Sequence, residues 1–516
     1  MADGYKSVSH RGFGSGLNLS AAVDTVAESE AIDALNVIFT TKDAVQQRWG
    51  FAKLSAVEGT NRYDSLTPFY KADGTKQLMA GAGNRLEALN SSGTIIASSV
   101  GPTASPHYFQ RFGGPTAEHL YIANGADTVR RWDGAAFSTP VYTGVTPTGR
   151  FLGLSSADNR LVSARFSGSA AGNNPSTVRF SDEGNPTSFT ATSYVDLTPG
   201  DGEEIMGVAY WRNQVFVFKS TKFFVFYGNS PDDAGGVDFN YRPVEVGVGL
   251  AASRALAVTD HGVYFMDRAG IYLTTGTDAT PVGANVEPIF HGGSSVYYQG
   301  GTLNHAAISA CAMTYHDERL WFSFPAGTST VNNRNLVFSP AEKWWSLQDI
   351  PAGPMCVFRP SNVDELVFGY SSGLKHLGRH VEGAYLNDDG VAITARWQGG
   401  WFDFGQRAVK TIREMKLAGT GLVTVSIFRD YRQSPSITKQ IDFSPAPSLY
   451  NSGLVYNNNV LYGPSQLIQP KPLRKAARGE VFSIGLANSV LNRSFKMHRL
   501  TMHVREGRVP SVVKVT

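Results

Sequence analysis

The chain has 516 residues, 42% of them hydrophobic, 11% aromatic and only 17% charged, with 54 glycines and a net charge of +3. That is ample length for a large core, and abundant glycine and aromatics with few charges is the mix of many short strands joined by tight turns. Cys311 and Cys356 are the only cysteines, which excludes a disulfide framework or a cysteine-based zinc site. One bridge between them stays open on sequence alone; the reading adopted is two buried thiols in a protein assembled in a reducing cytoplasm.

Charge is divided unevenly along the chain. From Arg396 to Thr516 there are 18 Lys and Arg against 6 Asp and Glu, which leaves 28 against 37 before them. The basic and acidic parts therefore call for different surfaces or partners.

The opening stretch, GLNLSAAVDTVAESEAIDALNVIF at 16–39, lacks the uninterrupted apolar core of a secretory signal, because Asp24, Glu28, Glu30 and Asp33 break every run. Thr25 and Glu28 have capping-box spacing, and Val26, Ala27, Ala31, Ala34 and Leu35 could share a helix face. Two or three helical turns are expected there, ending before the strand-like NVIF at 36–39. Further on, VFVF at 215–218 and FFVFY at 223–227 are far shorter than the ~20 residues a membrane helix needs, so a soluble chain with no membrane span is expected.

From about residue 60 a unit recurs: a β-rich run, a polar turn with Asp, Asn or Gly, a second run, then Gly and a third. Its starts fall at residues 66, 106, 150, 205, 251, 308 and 355, a spacing of 40 to 57. Four short strands with their turns occupy ~40 residues, the period of a propeller blade. The expected fold is all-β, a six- or seven-bladed β-propeller over 61–395, preceded by an arm at 1–60 that leads into the first blade. The alternative of paired β-sandwiches does not explain a turn recurring at a fixed place between adjacent strands. Past LNDDGVAI at 386–393, the runs ITARWQGGWFDFG, KTIREMKLAGTGLVTVSIFRD and FSIGLANSVLNRSFKMHRLTMHVREG read as a β-sandwich-like domain at 396–516. Residues 443–479, rich in Pro, Asn and Ser, read as a long loop within it.

Catalytic chemistry is hard to place. The carboxylate pairs Asp182/Glu183, Glu203/Glu204, Asp232/Asp233 and Asp388/Asp389 are adjacent in sequence and sit beside turn residues, unlike the facing acids of a glycosidase. His376 and His380 have a four-residue spacing, but Gly378 lies between them in a β-rich context without the acidic partner of a zinc helix. No metal, cofactor or catalytic residue is assigned, and the chain is not expected to be an enzyme. SDEGNPTSF at 181–189 resembles, imperfectly, the turn boxes of sialidase-like propellers, with Asp182 capping the turn. Lys471, Arg474, Lys475 and Arg478 form a basic cluster that could meet phosphate oxygens of DNA, meet acidic residues of a neighbouring subunit, or be solvated. It lacks the interleaved aromatics of a single-strand binder.

Several stretches in order carry a family likeness: TTKDAVQQRWGF at 40–51, VRFSDEGNPTSF at 178–189, GDGEEIMGVAYWRNQVFVFKSTKFFVFYG at 200–228, VGVGLAASRALAVTDHGVYFMDRAGIYLTTG at 246–276, EKWWSL at 342–347 and the terminal HRLTMHVREGR. The chain resembles propeller-bearing virion proteins of tailed bacteriophages, among them the tail nozzle (tail tubular) proteins. It departs from them at Trp49, where they often carry Pro, and at Lys42–Asp43, which lacks their usual Gly. The resemblance implies a structural subunit of a ring, commonly a hexamer, that encloses a channel for genome ejection. It implies docking to tail adapter and fibre proteins, transient contact with passing genomic DNA and contact with the host envelope. The location implied is the virion tail, after assembly in the host cytoplasm. A second reading is a host-surface module that binds glycan through Trp211, Trp344 and Trp345, residues that are more often core. A glycoside hydrolase is the third.

Overall fold

The computed structural model describes residues 5–506 except 41–42, 56–60, 104–105, 114–117, 156–159, 228–239, 293–295, 374, 406–407 and 444–466; the side chains of residues 5, 10, 11, 55 and 467–476 also lie outside the description.

The repeat folds as expected into antiparallel four-stranded meanders, numbered here as blades in chain order. Blade 4 shows why. Gly207–Trp211, Gln214–Phe218, Phe223–Tyr227 and Asn240–Val244 pair in sequence order. The first hairpin closes through Arg212 and Asn213, both with positive φ (46° and 63°), the geometry of a two-residue turn that matches strand twist. The middle strands are apolar at nearly every position because both of their faces are covered. Val215, Val217, Phe224 and Phe226 pack with Phe151, Val162 and Phe180 of blade 3. Phe216, Phe218, Phe223 and Val225 pack with Val263 and Phe265 of blade 5. A sheet buried on two sides reads as a continuous hydrophobic run.

Six such sheets are self-contained, beginning at Ser65, Tyr108, Phe151, Gly207, Leu256 and Ala352. A further meander, Ala312–His316 to Trp345–Gln348, holds the place between blades 5 and 7 but belongs to a fifteen-stranded sheet. Leu66, Phe109, Leu152, Val208, Leu256, Met313 and Met355, one from each unit, line a single central cavity of about 390 Å³. The ring thus has six free-standing blades and a seventh, blade 6, shared with the C-terminal sheets. Phe51–Ser55 pairs with Leu377–His380 as the outer strand of blade 7, so the chain closes the ring at its last blade before entering the first at Ser65.

The helix expected in the opening stretch does not form. Glu30–Leu35 is a β-strand, buried at all positions after the first, and it lies antiparallel to Ala395–Gly399 while Leu35 pairs with Leu347 of blade 6. The three-to-four spacing of alanines and Leu35 fits a strand covered on both faces equally well. Ile32 packs with Val26 and Trp401, while Ala31, Ala34 and Leu35 enter the main core. Asp33 is buried against Arg396. In place of a capping box, the Glu30 carboxylate accepts from Asn18 Nδ2 and the Ala27 amide, at 2.9 and 3.2 Å.

The C-terminal β domain is organised by one long strand, Lys410–Arg429. Its first half pairs with Phe495–Glu506 and Leu467–Gly479, and its second half with Phe482–Asn488 and Ile437–Asp442. The switch of partners falls at Gly421, where φ is +77° and an added Cβ would lie 1.9 Å from the Ser494 carbonyl oxygen. Only glycine fits there. The expected loop at 443–479 is in part this sheet: Leu467–Gly479 is a strand. Tyr5–Arg11 and Ala44–Gln47 add to the same sheet through Phe495–Glu506, so N-terminal residues complete the C-terminal domain. Cys311 and Cys356 are buried and unbridged, and burial pushes the Cys356 thiol up to about 12.

Candidate functional site

Two regions gather chemistry-bearing groups: the outer face of the C-terminal sheet and one mouth of the propeller.

On the sheet, burial separates two faces, with strand alternation interrupted by register shifts at Ile412/Glu414 and Ala418/Gly419. Ile412, Met415, Leu417, Leu500, Met502 and Val504 are buried, while Arg413, Lys416, Arg499 and Arg505 are exposed. Glu414 and Glu506 are the only acids on these two strands. The sequence-derived cluster joins this sheet: Lys471, Arg474, Lys475 and Arg478 all lie on Leu467–Gly479. Ile412 pairs with Ala477 and Glu414 with Pro472, so four residues of that strand, 473–476, bulge opposite Arg413. Arg478 is exposed, and its carbonyl accepts from Arg429 Nη1 at 2.7 Å. The side chains of Lys471, Arg474 and Lys475 lie outside the described residues.

At the propeller mouth formed by the connections between blades, a second cavity of about 150 Å³ adjoins the central one, with Arg254 and Pro354 as shared walls. Its lining comes from the segments leading into blades 1, 2, 5 and 6 and from residues of blades 6 and 7. Arg62 Nη1 donates to the Ser371 carbonyl at 2.5 Å, and Arg254 Nη1 donates to the Asp64 carbonyl. The Asp64 carboxylate is held by its own blade, accepting from Ser65 Oγ at 2.5 Å and the Gly83 amide at 3.1 Å. Asn332 is buried; its Nδ2 donates to the Ala310 carbonyl at 2.8 Å, while its Oδ1 has no partner. His107 is buried beside the central cavity with neither ring nitrogen hydrogen-bonded. Its Nδ1 stands 2.8 Å and Ser65 Oγ 2.5 Å from where a Gly81 Cβ would be, so a side chain there would displace both. Burial lowers the His107 pKa and keeps the ring neutral.

Asp182, Glu203, Glu204, Asp388 and Asp389 have structural partners. Asp182 accepts from Ser188 Oγ at 2.6 Å and Thr190 Oγ1 at 3.0 Å, so hydroxyls and not backbone amides meet it in the SDEGNPTSF turn. Glu203 accepts from Thr221, Glu204 pairs with Arg165, Asp388 with Arg48 and Asp389 with Lys53. Asp232 and Asp233 lie outside the described residues. His376 packs on Tyr370, and His380 is buried with Nδ1 at 2.8 Å from the Gly50 carbonyl. Among the described residues no three His, Cys, Asp or Glu side chains are grouped to hold a metal. Trp344 and Trp345 are core residues, and half-buried Trp211 donates to the Thr259 carbonyl at 2.8 Å. Arg62, Arg254 and Asn332 lie far apart in the chain, and nothing in the sequence joins them.

No family model matches this chain, and no curated protein does. Among solved structures, streptogramin B lyase is similar over 64% of this chain and 97% of its own, at 10% identity and a TM-score of 0.42. The C-terminal WD40 domain of Sif2 is similar over 72% of this chain and 99% of its own, at 11% identity and a TM-score of 0.36. At that distance neither bears on function.

Proposed function

We propose that this chain is a structural subunit of a bacteriophage tail, of nozzle or hub type. In this reading it forms a ring around part of the genome's exit path and docks adapter and fibre proteins. The observation that carries the reading is charge segregation on the outer face of the C-terminal sheet. Arg413, Lys416, Arg499 and Arg505 stand on one outer face of a domain with excess positive charge, while the remainder of the chain carries excess negative charge. Such a face suits either an acidic neighbouring subunit or passing phosphates, and both attractions weaken with salt. Closed rings arise when one surface meets a different surface on the next copy. The sequence resemblance supplies the tail context.

The test is light scattering and negative-stain imaging of purified protein at low and high salt, followed by labelling of intact particles. Rings of fixed copy number at low salt and label at the tail are expected; a monomer at all concentrations, with label absent from the tail, overturns the reading. The alternative of a glycan-binding module finds no support in the three tryptophans, two of which are core.

A further inference from the structure

We propose that the basic face of the C-terminal sheet docks on the propeller of a second copy of this chain, at the mouth opposite the connections between blades. This contact rests on the ring reading and names the two surfaces that meet in it.

Strand register sets the first surface. Residues paired across strands share a face, so Arg478, Thr411 and Arg505 form one row, and the same face carries Lys416 opposite Thr501 and Arg499 opposite Ala418. All four cations are exposed. Glu414 stands on this face too, opposite His503, with its carboxylate 3.9 Å from the ring.

Topology sets the second. Each unit's first strand starts at the connection mouth, so the turn after it emerges at the other one. In blades 5 and 6 these turns, 260–261 and 317–318, carry the exposed acids Asp260, Asp317 and Glu318. Tyr315 shows that they lie together: its pKa is raised first by burial and then by Glu318, Asp260 and Asp317. Glu382 joins them through Arg319, whose Nη1 is 3.0 Å from Glu382 and 3.6 Å from Asp317. On the corresponding turn of blade 4, Arg212 stacks on Trp211 at 4.7 Å.

Both surfaces are exposed in one chain, so neither covers the other within a copy. They are mixed in sign with opposite majorities: Glu414 stands among cations, and Arg212 and Arg319 stand among carboxylates. Phosphates alone would set negative charge against Glu414, whereas the acidic mouth brings guanidinium groups as well, which favours a second copy over DNA. Two different surfaces on every copy meet the condition for a head-to-tail contact that repeats around a ring.

The experiment measures assembly of the full chain by sedimentation at low salt, with retention of a short DNA duplex measured alongside. Lys416→Glu with Arg499→Glu, and separately Asp260→Lys with Glu318→Lys, should each raise the concentration for half-assembly about tenfold or more. The protein carrying all four changes exchanges the signs on both surfaces and should recover most of that loss, which damage to the fold would not do. Near-UV circular dichroism checks the fold of each variant. Rings unaffected by either pair of reversals overturn this contact and leave the ring reading standing; wild-type protein that stays monomeric overturns both. Failure of the fourfold variant to recover overturns the pairing of these two surfaces. So does normal assembly with DNA retention abolished by Lys416→Glu and Arg499→Glu, which would assign the face to phosphates.

Discussion

Arg48 and Asp388, 340 residues apart, form a two-pronged ion pair, Nη1 to Oδ1 at 2.8 Å and Nη2 to Oδ2 at 2.6 Å. The same buried guanidinium reaches Asp349 at 3.0 Å and Asn36 Oδ1 at 2.8 Å, and donates to the Trp49 carbonyl at 3.1 Å. One side chain from QQRWGF thus ties together the opening strands, the exit from blade 6 and the link to the C-terminal domain. Removing it takes both guanidinium donors from the Asp388 carboxylate and leaves Asn36 Oδ1 with only the Asp349 amide. Arg48→Ala should cost about 3–5 kcal/mol, the range for breaking one side of a buried pair, and Arg48→Lys should recover little because a point charge cannot span both carboxylates. Chemical denaturation midpoints of the three proteins measure this, and a loss below about 1 kcal/mol for Arg48→Ala would refute the assigned role.

Phe216 is fully buried in blade 4, facing blade 5. Phe216→Ala should destabilise by about 3–5 kcal/mol, whereas Tyr241→Ala on the exposed outer strand of the same blade should cost much less. Equal losses at the two positions would mean the blades do not stack as described.

Gly421 turns the long strand from one set of partners to the other. Gly421→Ala combines a clash with the Ser494 carbonyl and an unfavourable φ, so a loss of about 2 kcal/mol or more is expected. Thermal unfolding would show it, and an unchanged midpoint would place the crossover elsewhere.

His380 is completely buried and its pKa is depressed to about 3, first by desolvation and further by Arg48, His316 and Arg319, against the raising effect of the Gly50 carbonyl. Burial lowers the pKa of His316 as well. A histidine whose folded pKa lies below its unfolded value of about 6.5 contributes stability that is fully present above that value. This stability is lost as pH falls from about 6.5 towards 3. By linkage His380 alone should cost about 2 kcal/mol between pH 7 and pH 5. Urea midpoints across that window should fall more steeply for the wild-type protein than for His380→Gln; parallel slopes would show that the ring is charged in the native state.

The propeller was legible because its signals are local. QVFVF and FFVFY flanked by two-residue polar turns mark strands whatever surrounds them, and their recurrence gives the ring. The opening stretch was not, because EAIDAL satisfies helix spacing and is also buried on both strand faces; its neighbours, Ala395–Gly399 and Leu347, are more than 300 residues away. Pro470 and Pro472 disguised Leu467–Gly479, a strand that pairs with the long strand and carries its irregularity in a bulge. The basic cluster was read from adjacent residues, but the wider face depends on register between strands. The propeller mouth was invisible for the same reason, since Arg62, Arg254 and Asn332 converge only when the ring closes.

Blade 6 passes into the C-terminal domain by strand pairing, with the Asn36 amide donating to the Leu347 carbonyl at 2.8 Å. A pull on the terminal sheet would therefore be felt by the ring as shear along paired strands, with no slack tether to take up the load first. Tension between the two parts should rise steeply at short extension.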